Sequence, residues 1–271
     1  MNEVLTRFLT SLFCIIGTLG MNWYSLYSTS IYYIILTTLC LFEYHYQIDS
    51  TRKKITILFS MLIFLLFTGN VVGMIDFKYL SIGLPFIMSL FSIELFSGKA
   101  NPMLSIGTDL IGLVWICAPL FLCIVISYPY GEDGIKYHDP RIVYGIMTFV
   151  FMCDTGAYFG GRFFGKHKLF PSISPKKTWE GVIAGVMASV GSYYIISSIE
   201  LLSSFEWVIV MIISISSGII GDLIESMFKR DLKIKDSGSI LPGHGGLLDR
   251  LDGVLYTIPT VYTYLVMIGK V

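Results

Sequence analysis

The feature that most constrains this chain is a series of apolar runs, each long enough to cross a lipid bilayer. Residues 55–75 and 110–128 are two such runs, and neither contains Asp, Glu, Lys or Arg. A helix of about 20 such residues crosses roughly 30 Å of hydrocarbon. Composition agrees, because 54% of the 271 residues are hydrophobic, only 14% are charged, and the mean hydropathy is +0.72. The sequence therefore predicts an all-α integral membrane protein.

Nine apolar segments are candidate membrane spans. They form a polytopic bundle in a single integral domain, residues 1–271, with N-terminal spans over about 8–128 and a C-terminal part over about 142–268. The predicted spans are Phe8–Tyr24, Ile31–Tyr46, Ile55–Ile75, Tyr79–Phe96, Ile106–Tyr128, Ile142–Phe159, Val182–Ile199, Trp207–Met227 and Val254–Ile268.

The distribution of positive charge indicates a topology. With the N-terminus in the cytoplasm, nine spans place most of the 19 basic residues on the cytoplasmic side, as positively charged loops require. The two long basic connections, residues 160–180 and 229–252, then lie on the same cytoplasmic face. The outer side carries the 129–141 connection, the turn near 200–206 and the C-terminus. A site built from both basic loops would face the cytoplasm.

Acidic residues within or near the spans are candidate functional groups. Asp154 lies in the sixth span, and Asp222 and Glu225 lie near the cytoplasmic end of the eighth, three residues apart and so on one helix face. A carboxylate at membrane depth costs several kcal/mol unless it is paired or hydrated, so a functional role is the default. The alternatives are a structural salt bridge to a loop lysine and a carboxylate that snorkels to the membrane interface. For Glu43, Glu94 and Asp109, which also lie near span ends, a structural role is favoured.

The segment Ser174–Gly181, SPKKTWEG, predicts an anion site. Pro175 disfavours helix at Ser174, so Thr178 can cap a helix that begins around Glu180. Lys176 and Lys177 then lie beside the positive N-terminus of that helix. The alternative is that both lysines only anchor the loop to anionic lipid head groups.

The densest group of polar residues is the stretch 226–252, SMFKRDLKIKDSGSILPGHGGLLDRLD. Its cations suit phosphate oxygens, its carboxylates suit a hard divalent metal, and its glycines let backbone approach a ligand closely. The pattern predicts chemistry on a polyphosphate at a membrane surface. The residues are Lys229, Arg230, Lys233, Lys235, Asp236, His244, Gly245, Gly246, Asp249, Arg250 and Asp252.

This stretch resembles the signature of the phosphatidate cytidylyltransferases, also called CDP-diacylglycerol synthases. In that pattern Ser and Lys-Arg precede Lys-Asp, a small residue, Pro and His-Gly-Gly, and the pattern ends in Asp-Arg and a final Asp. The segments 154–158, DTGAY, and 174–181 resemble the same family. The matching positions here are Ser226, Lys229-Arg230, Lys235-Asp236, Gly238, Pro242, His244-Gly245-Gly246, Asp249-Arg250 and Asp252.

The resemblance implies a polytopic enzyme that converts CTP and phosphatidate into CDP-diacylglycerol and pyrophosphate, with its catalytic part in the C-terminal spans. It implies membrane lipids as surroundings, no nucleic-acid partner, and a bacterial inner membrane with the active site facing the cytoplasm. A homodimer is left open.

The resemblance also implies roles for individual residues. Catalytic roles fall to Asp222, Asp249, Lys235 and Arg250. Substrate-binding roles fall to Ser174, Lys176, Lys177, Lys229, Arg230, His244, Gly245 and Gly246, with the backbone N–H groups of the last three directed at a phosphate. Asp222 and Asp249 would hold Mg²⁺, with Asp154, Asp236 and Asp252 as further candidates and a second cation left open.

Two other classes of function compete with this one. A related CTP-dependent enzyme, either a CDP-archaeol-type synthase or a polyprenol kinase, would use another lipid acceptor. A secondary transporter would line an ion path with Asp154, Asp222 and Glu225, and would spread its charges through the membrane depth. The polar residues cluster at one predicted face instead, which favours the enzyme.

Overall fold

The computed structural model describes residues 3–48, 53–83, 85, 88, 91–92, 101–131, 133–238, 240–242 and 245–271. Nine α-helices account for most of these described residues. They are α1 (Glu3–Tyr24), α2 (Leu26–Gln47), α3 (Lys53–Val71), α4 (Pro102–Gly112), α5 (Ala118–Ile126), α6 (Arg141–Phe164), α7 (Trp179–Ile196), α8 (Ser204–Asp231) and α9 (Leu248–Met267). A 3₁₀ helix covers Phe77–Ile82, and a π-helical turn, Leu113–Cys117, joins α4 to α5.

Six segments in the described part of the chain are long and apolar enough to cross a membrane, which confirms the predicted fold class. They are Leu26–Gln47, Lys54–Val71, Pro102–Ile126, Arg141–Phe164, Trp179–Ile196 and Ser204–Asp231. The first and last predicted spans correspond to α1 and α9. Much of the predicted span Tyr79–Phe96 lies outside the described residues, so the count of nine spans stays a prediction.

The chain divides into two compact units, residues 1–128 with 236–249 and residues 129–235 with 250–271. In the first unit α2 packs against α3 and α5. The buried apolar side chains of this core include Tyr33, Leu41, Leu120 and Ile124. The single integral domain expected from the sequence stays a prediction.

In the second unit, glycines bring α6 and α7 into close contact. A Cβ added at Gly156 would lie 2.8 Å from the carbonyl oxygen of Ala184, and one at Gly185 would lie 2.6 Å from that of Cys153. Such distances leave no room for a side chain. Small residues four apart on facing helices are a common means of close helix packing in membranes.

The predicted loop 160–180 contains a short antiparallel hairpin, β1 (Lys168–Phe170) and β2 (Ser174–Thr178). The predicted helix cap is confirmed, because α7 begins at Trp179 and the Thr178 hydroxyl accepts a hydrogen bond from the Gly181 N–H at 3.2 Å. Glu180 in the first turn of α7 accepts from the backbone N–H of Lys166 at 3.0 Å. Both ends of the hairpin are therefore fastened to the N-terminus of α7.

The other end of the second unit holds three segments that the predicted topology places on one side. The Tyr130 N–H donates to the carbonyl of Lys270 at 2.9 Å, and the Lys270 ammonium donates to the carbonyl of Leu201 at 3.2 Å. The 129–141 connection, the turn near 200–206 and the C-terminal segment therefore lie together. This agrees with the topology predicted from the charge distribution, in which these three segments lie on the same side of the membrane.

Candidate active site

The second unit gathers acidic side chains from three helices. Asp154 lies on α6, Asp222 and Glu225 lie on α8, and Asp252 lies on α9. Asp252 is within electrostatic range of the other three, and Asp154 is within range of Asp222. Like charges repel, so nearby cations stabilise the ionised form of this acidic cluster.

Lys177 supplies one of these cations. Its Nζ lies 2.5 Å from Oδ2 of Asp222, and both side chains are about one quarter exposed, at 24% and 26%. The second oxygen of Asp222 accepts from the Ser226 hydroxyl at 3.3 Å. Successive side chains on a strand point to opposite faces, so Lys176 is exposed while Lys177 turns toward the helices. The hairpin thus distinguishes two lysines that look equivalent in the sequence.

The basic end of α8 is tied to the same cluster and to the hairpin. Lys229 Nζ lies 2.5 Å from Oε2 of Glu225, one helical turn earlier, and Glu225 is buried. The Arg230 guanidinium donates to the carbonyl of Ile173 in the hairpin turn at 3.4 Å and to that of Ile234 at 3.3 Å. Phosphate-binding candidates from two loops therefore meet at one end of this unit.

Three further predicted site residues belong to the second unit. Ser174 begins β2 and is half-buried, whereas Lys235 and Arg250 are exposed. Both cations are therefore accessible to a charged ligand.

Gly221 allows α8 and α9 to approach each other closely. A Cβ added at Gly221 would lie 2.7 Å from the carbonyl oxygen of Asp252 and 2.8 Å from Cβ of Tyr256. Gly221 directly precedes Asp222, so the close approach sets how near Asp222 lies to Asp252.

In the first unit, Asp249 organises the loop 236–249. Its Oδ2 accepts from the Ser237 N–H at 2.8 Å and from the Gly246 N–H at 3.0 Å. Gly245 has a φ of +83°, a left-handed conformation that favours glycine. The Gly246 N–H, which we expected to face a phosphate, is directed at Asp249 in this structure. Asp236 is exposed, and His244 lies outside the described residues.

The structure adds Glu43 of α2 to this loop, a residue for which the sequence favoured only a structural role. Its Oε2 accepts from the Leu248 N–H at 2.8 Å and from the Ser237 hydroxyl at 3.4 Å. Gln47, one turn further along α2, donates its side-chain N–H to the carbonyl of Ser237. The sequence feature that could have indicated this role is that the Glu43 carboxylate lies within a predicted membrane span.

Among the described residues, the acidic cluster offers carboxylate ligands to a metal ion but no complete set of protein ligands. Within the described ranges, no group of three or more His, Cys, Asp or Glu side chains is arranged to hold a metal ion by itself. Mg²⁺ commonly uses one or two carboxylates and completes its shell with water and substrate phosphates. The cluster contains four carboxylates, and two lysines form direct ion pairs with it. Its donors and its charge therefore fit a divalent cation.

Comparison with known proteins identifies a single family. The sequence model of the cytidylyltransferase family matches residues 5–268. A phosphatidate cytidylyltransferase of Staphylococcus haemolyticus is 42% identical over 141 residues, 51% of this chain and 52% of the relative. Relatives of the same name from Haemophilus influenzae and Mycobacterium tuberculosis are 40% identical over 136 and 144 residues, covering 48% and 52% of this chain and 46% and 42% of the relatives. The chain spans about half the length of the curated relatives it matches.

Proposed function

Since the chain belongs to the cytidylyltransferase family, we propose that it transfers the cytidylyl group of CTP to phosphatidate. The products are CDP-diacylglycerol, for phospholipid synthesis, and pyrophosphate. The names of the relatives support both substrates. The observation that carries the proposal is the Lys177–Asp222 ion pair within the acidic cluster, beside the basic end of α8. Phosphate-binding and metal-binding groups are both needed for this reaction, and this arrangement supplies both.

The proposed reaction is an in-line displacement at phosphorus. A phosphate oxygen of phosphatidate attacks the α-phosphorus of CTP, and a new P–O bond forms. The bond from the α-phosphorus to the oxygen that bridges to the β-phosphate breaks, and its electron pair leaves with pyrophosphate. The nucleophile is already an anion, so the protein's task is to align two polyanions and neutralise their charge.

Several basic side chains and Mg²⁺ would share the alignment and neutralisation of the substrate phosphates. Lys177, half-buried beside Asp222, would turn to a substrate phosphate when a divalent cation reaches Asp222. Mg²⁺, when bound, draws charge from the phosphate oxygens. The other proposed phosphate ligands are Lys176, Lys229, Arg230, Lys235 and Arg250.

Asp222 is the proposed ligand for Mg²⁺, and Asp154 and Asp252 are within electrostatic range of it. The roles of Asp249 and Asp236 as ligands, of Ser174, His244, Gly245 and Gly246 as substrate-binding residues, and of a second cation stay predictions. So does the homodimer.

We propose that the site faces the cytoplasm of a bacterial inner membrane, where CTP is available. Support comes from Glu43 and Gln47, which lie in the last two turns of α2 and bond the loop 236–249. The end of α2 and this loop therefore share a side of the membrane. The topology with a cytoplasmic N-terminus requires that same arrangement and makes the shared side cytoplasmic.

The test is transfer of label from [α-³²P]CTP into chloroform-extractable lipid by purified protein with phosphatidate and Mg²⁺. We expect Asp222→Asn to lower the rate about 100-fold, as loss of one strong electrostatic contact does at other transfer sites. The matched control is Asp231→Asn, because Asp231 is an exposed carboxylate on the same helix. An unaffected Asp222→Asn would remove Asp222 from the site. Label that enters another lipid but not phosphatidate would reject the proposed acceptor.

A further inference from the structure

We propose that Glu43 is a positioning residue for the reaction: through the loop 236–249 it sets the orientation of the Asp249 carboxylate. This inference rests on the proposed function. It concerns a residue of α2 that has no counterpart in the motif and whose partner Leu248 lies 205 positions later in the chain. Three observations within the first unit carry it.

The first observation is that Glu43 completes the N-terminus of α9. The first N–H groups of a helix have no partner inside that helix. The Leu248 N–H donates to Oε2 of Glu43 at 2.8 Å, and the Asp249 N–H donates to the Ser237 hydroxyl at 3.1 Å. A carboxylate at this end of a helix is also favoured by the helix dipole. Glu43 therefore caps α9 from a distant helix.

The second observation is that Ser237 links the two carboxylates. Its hydroxyl donates to Glu43 at 3.4 Å and accepts from the Asp249 N–H, while its own N–H donates to Oδ2 of Asp249 at 2.8 Å. Gln47 holds the carbonyl of the same serine. Every polar group of Ser237 is thus used, and a displacement of Glu43 is transmitted directly to Asp249.

The third observation is the space around the Glu43 carboxylate. A Cβ added at Gly246 would lie 2.8 Å from Oε1 of Glu43, and one at Gly238 would lie 2.7 Å from its Cδ. Two signature glycines therefore make room for this carboxylate. Glu43 itself is only 3% exposed, and burying a carboxylate is costly unless its hydrogen bonds repay the loss of water. Glu43 therefore lies in a buried pocket of the loop, together with the buried residues Ser237, Gly246 and Leu248.

The first readout is the accessibility of the loop, which does not depend on the reaction. Ile240 is exposed in the loop, and of the five native cysteines four are buried and Cys14 is half-buried. An Ile240→Cys protein would be labelled with a membrane-impermeant maleimide, with the unsubstituted chain as background. We expect Glu43→Ala to raise the rate of labelling at position 240 at least about 5-fold. Thr37→Val, a buried change on the same helix, is expected to leave it unchanged.

The second readout is steady-state cytidylyl transfer. Removing a residue that orients a functional group without contacting the substrate itself typically lowers activity 10- to 100-fold. We expect Glu43→Ala to lower kcat by about that factor while KM for CTP changes less than about 3-fold, because the proposed phosphate ligands Lys177, Lys229 and Arg230 lie outside the loop 236–249. Glu43→Gln keeps the length and one acceptor oxygen, so it is expected to restore most of kcat. Gln47→Ala removes only the bond to the Ser237 carbonyl and is expected to give a smaller loss.

The outcomes separate this inference from the proposed function. Faster labelling together with a kcat loss that Glu43→Gln rescues supports the positioning role. Unchanged labelling in folded Glu43→Ala overturns it, and so does faster labelling with unchanged kcat. If Glu43→Ala does not fold, the labelling rate and kcat of Gln47→Ala are compared with those of Glu43→Gln. Faster labelling with a lower kcat in Gln47→Ala supports the positioning role, and no difference between the two variants overturns it. Absence of cytidylyl transfer by the wild-type protein would reject the proposed function, whereas the labelling result would still report on the loop.

Discussion

Gly221 is the position where one added methyl group should most directly disturb the acidic cluster. Its Cβ would lie 2.7 Å from the carbonyl oxygen of Asp252, whereas carbon–oxygen contacts of this kind lie at about 3.3 Å. In Gly221→Ala, α9 must therefore move away from α8 by about 0.6 Å. Asp222 is the next residue, so the distance between Asp222 and Asp252 changes by a similar amount.

The expected effect of this shift on activity is large. A misplacement of 1 Å at a reacting centre can cost about 100-fold, so we expect Gly221→Ala to lower kcat at least about 10-fold. Overpacking of a helix contact also costs about 1–3 kcal/mol of stability. The assay is labelled cytidylyl transfer, measured beside thermal unfolding so that a loss of folded protein is corrected for.

The matched control is Gly191→Ala on α7. A Cβ at Gly191 meets nothing within 4 Å, and alanine favours helix over glycine by up to about 1 kcal/mol. We expect this variant to keep full activity and to unfold at the same or a slightly higher temperature. Wild-type activity in Gly221→Ala, or an equal loss in Gly191→Ala, would refute the argument from helix contact.

Three further predictions follow from the second unit. Lys177→Met should lower kcat/KM for CTP about 100-fold and Lys176→Met less than about 10-fold, because of these two lysines only Lys177 reaches Asp222. Equal losses would contradict the different environments that the hairpin gives the two lysines. Thr178→Ala should cost about 1 kcal/mol in thermal unfolding through loss of the α7 cap, and Thr178→Ser should not. Glu225→Gln should destabilise the protein by about 3 kcal/mol because the Lys229 ammonium, on a side chain only 14% exposed, loses the buried Glu225 carboxylate as its ion-pair partner. The double change Glu225→Gln with Lys229→Met should recover most of that loss, and a double variant as unstable as the single one would contradict the account.

Features that depend on local sequence were predictable. Helices follow from apolar runs because backbone hydrogen bonds must be satisfied within each segment in lipid. The Thr178 cap followed from Pro175 and a hydroxyl at the right spacing. The last span was predicted from Val254, and α9 begins six residues earlier, at Leu248, so Asp249 and Asp252 lie in its first turns.

Features that depend on distant contacts were not predictable. The hairpin that separates Lys176 from Lys177 is built from very short strands, whose pairing has almost no sequence signal. Glu43 and Leu248 are 205 positions apart, and no periodicity relates them. The helix contact at Gly221 is equally invisible, because a glycine in an apolar helix has the same local pattern whether it faces lipid or another backbone.

The central claim is that the α-phosphorus of CTP moves to the lipid, and parallel labels test it most directly. Purified protein would be incubated with phosphatidate, Mg²⁺ and either [α-³²P]CTP or [γ-³²P]CTP. The account predicts α-label in the lipid extract and γ-label in pyrophosphate. Label from γ-³²P in lipid would show phosphoryl transfer, as a lipid kinase performs, and would contradict the account. So would the absence of lipid label from both nucleotides with folded protein.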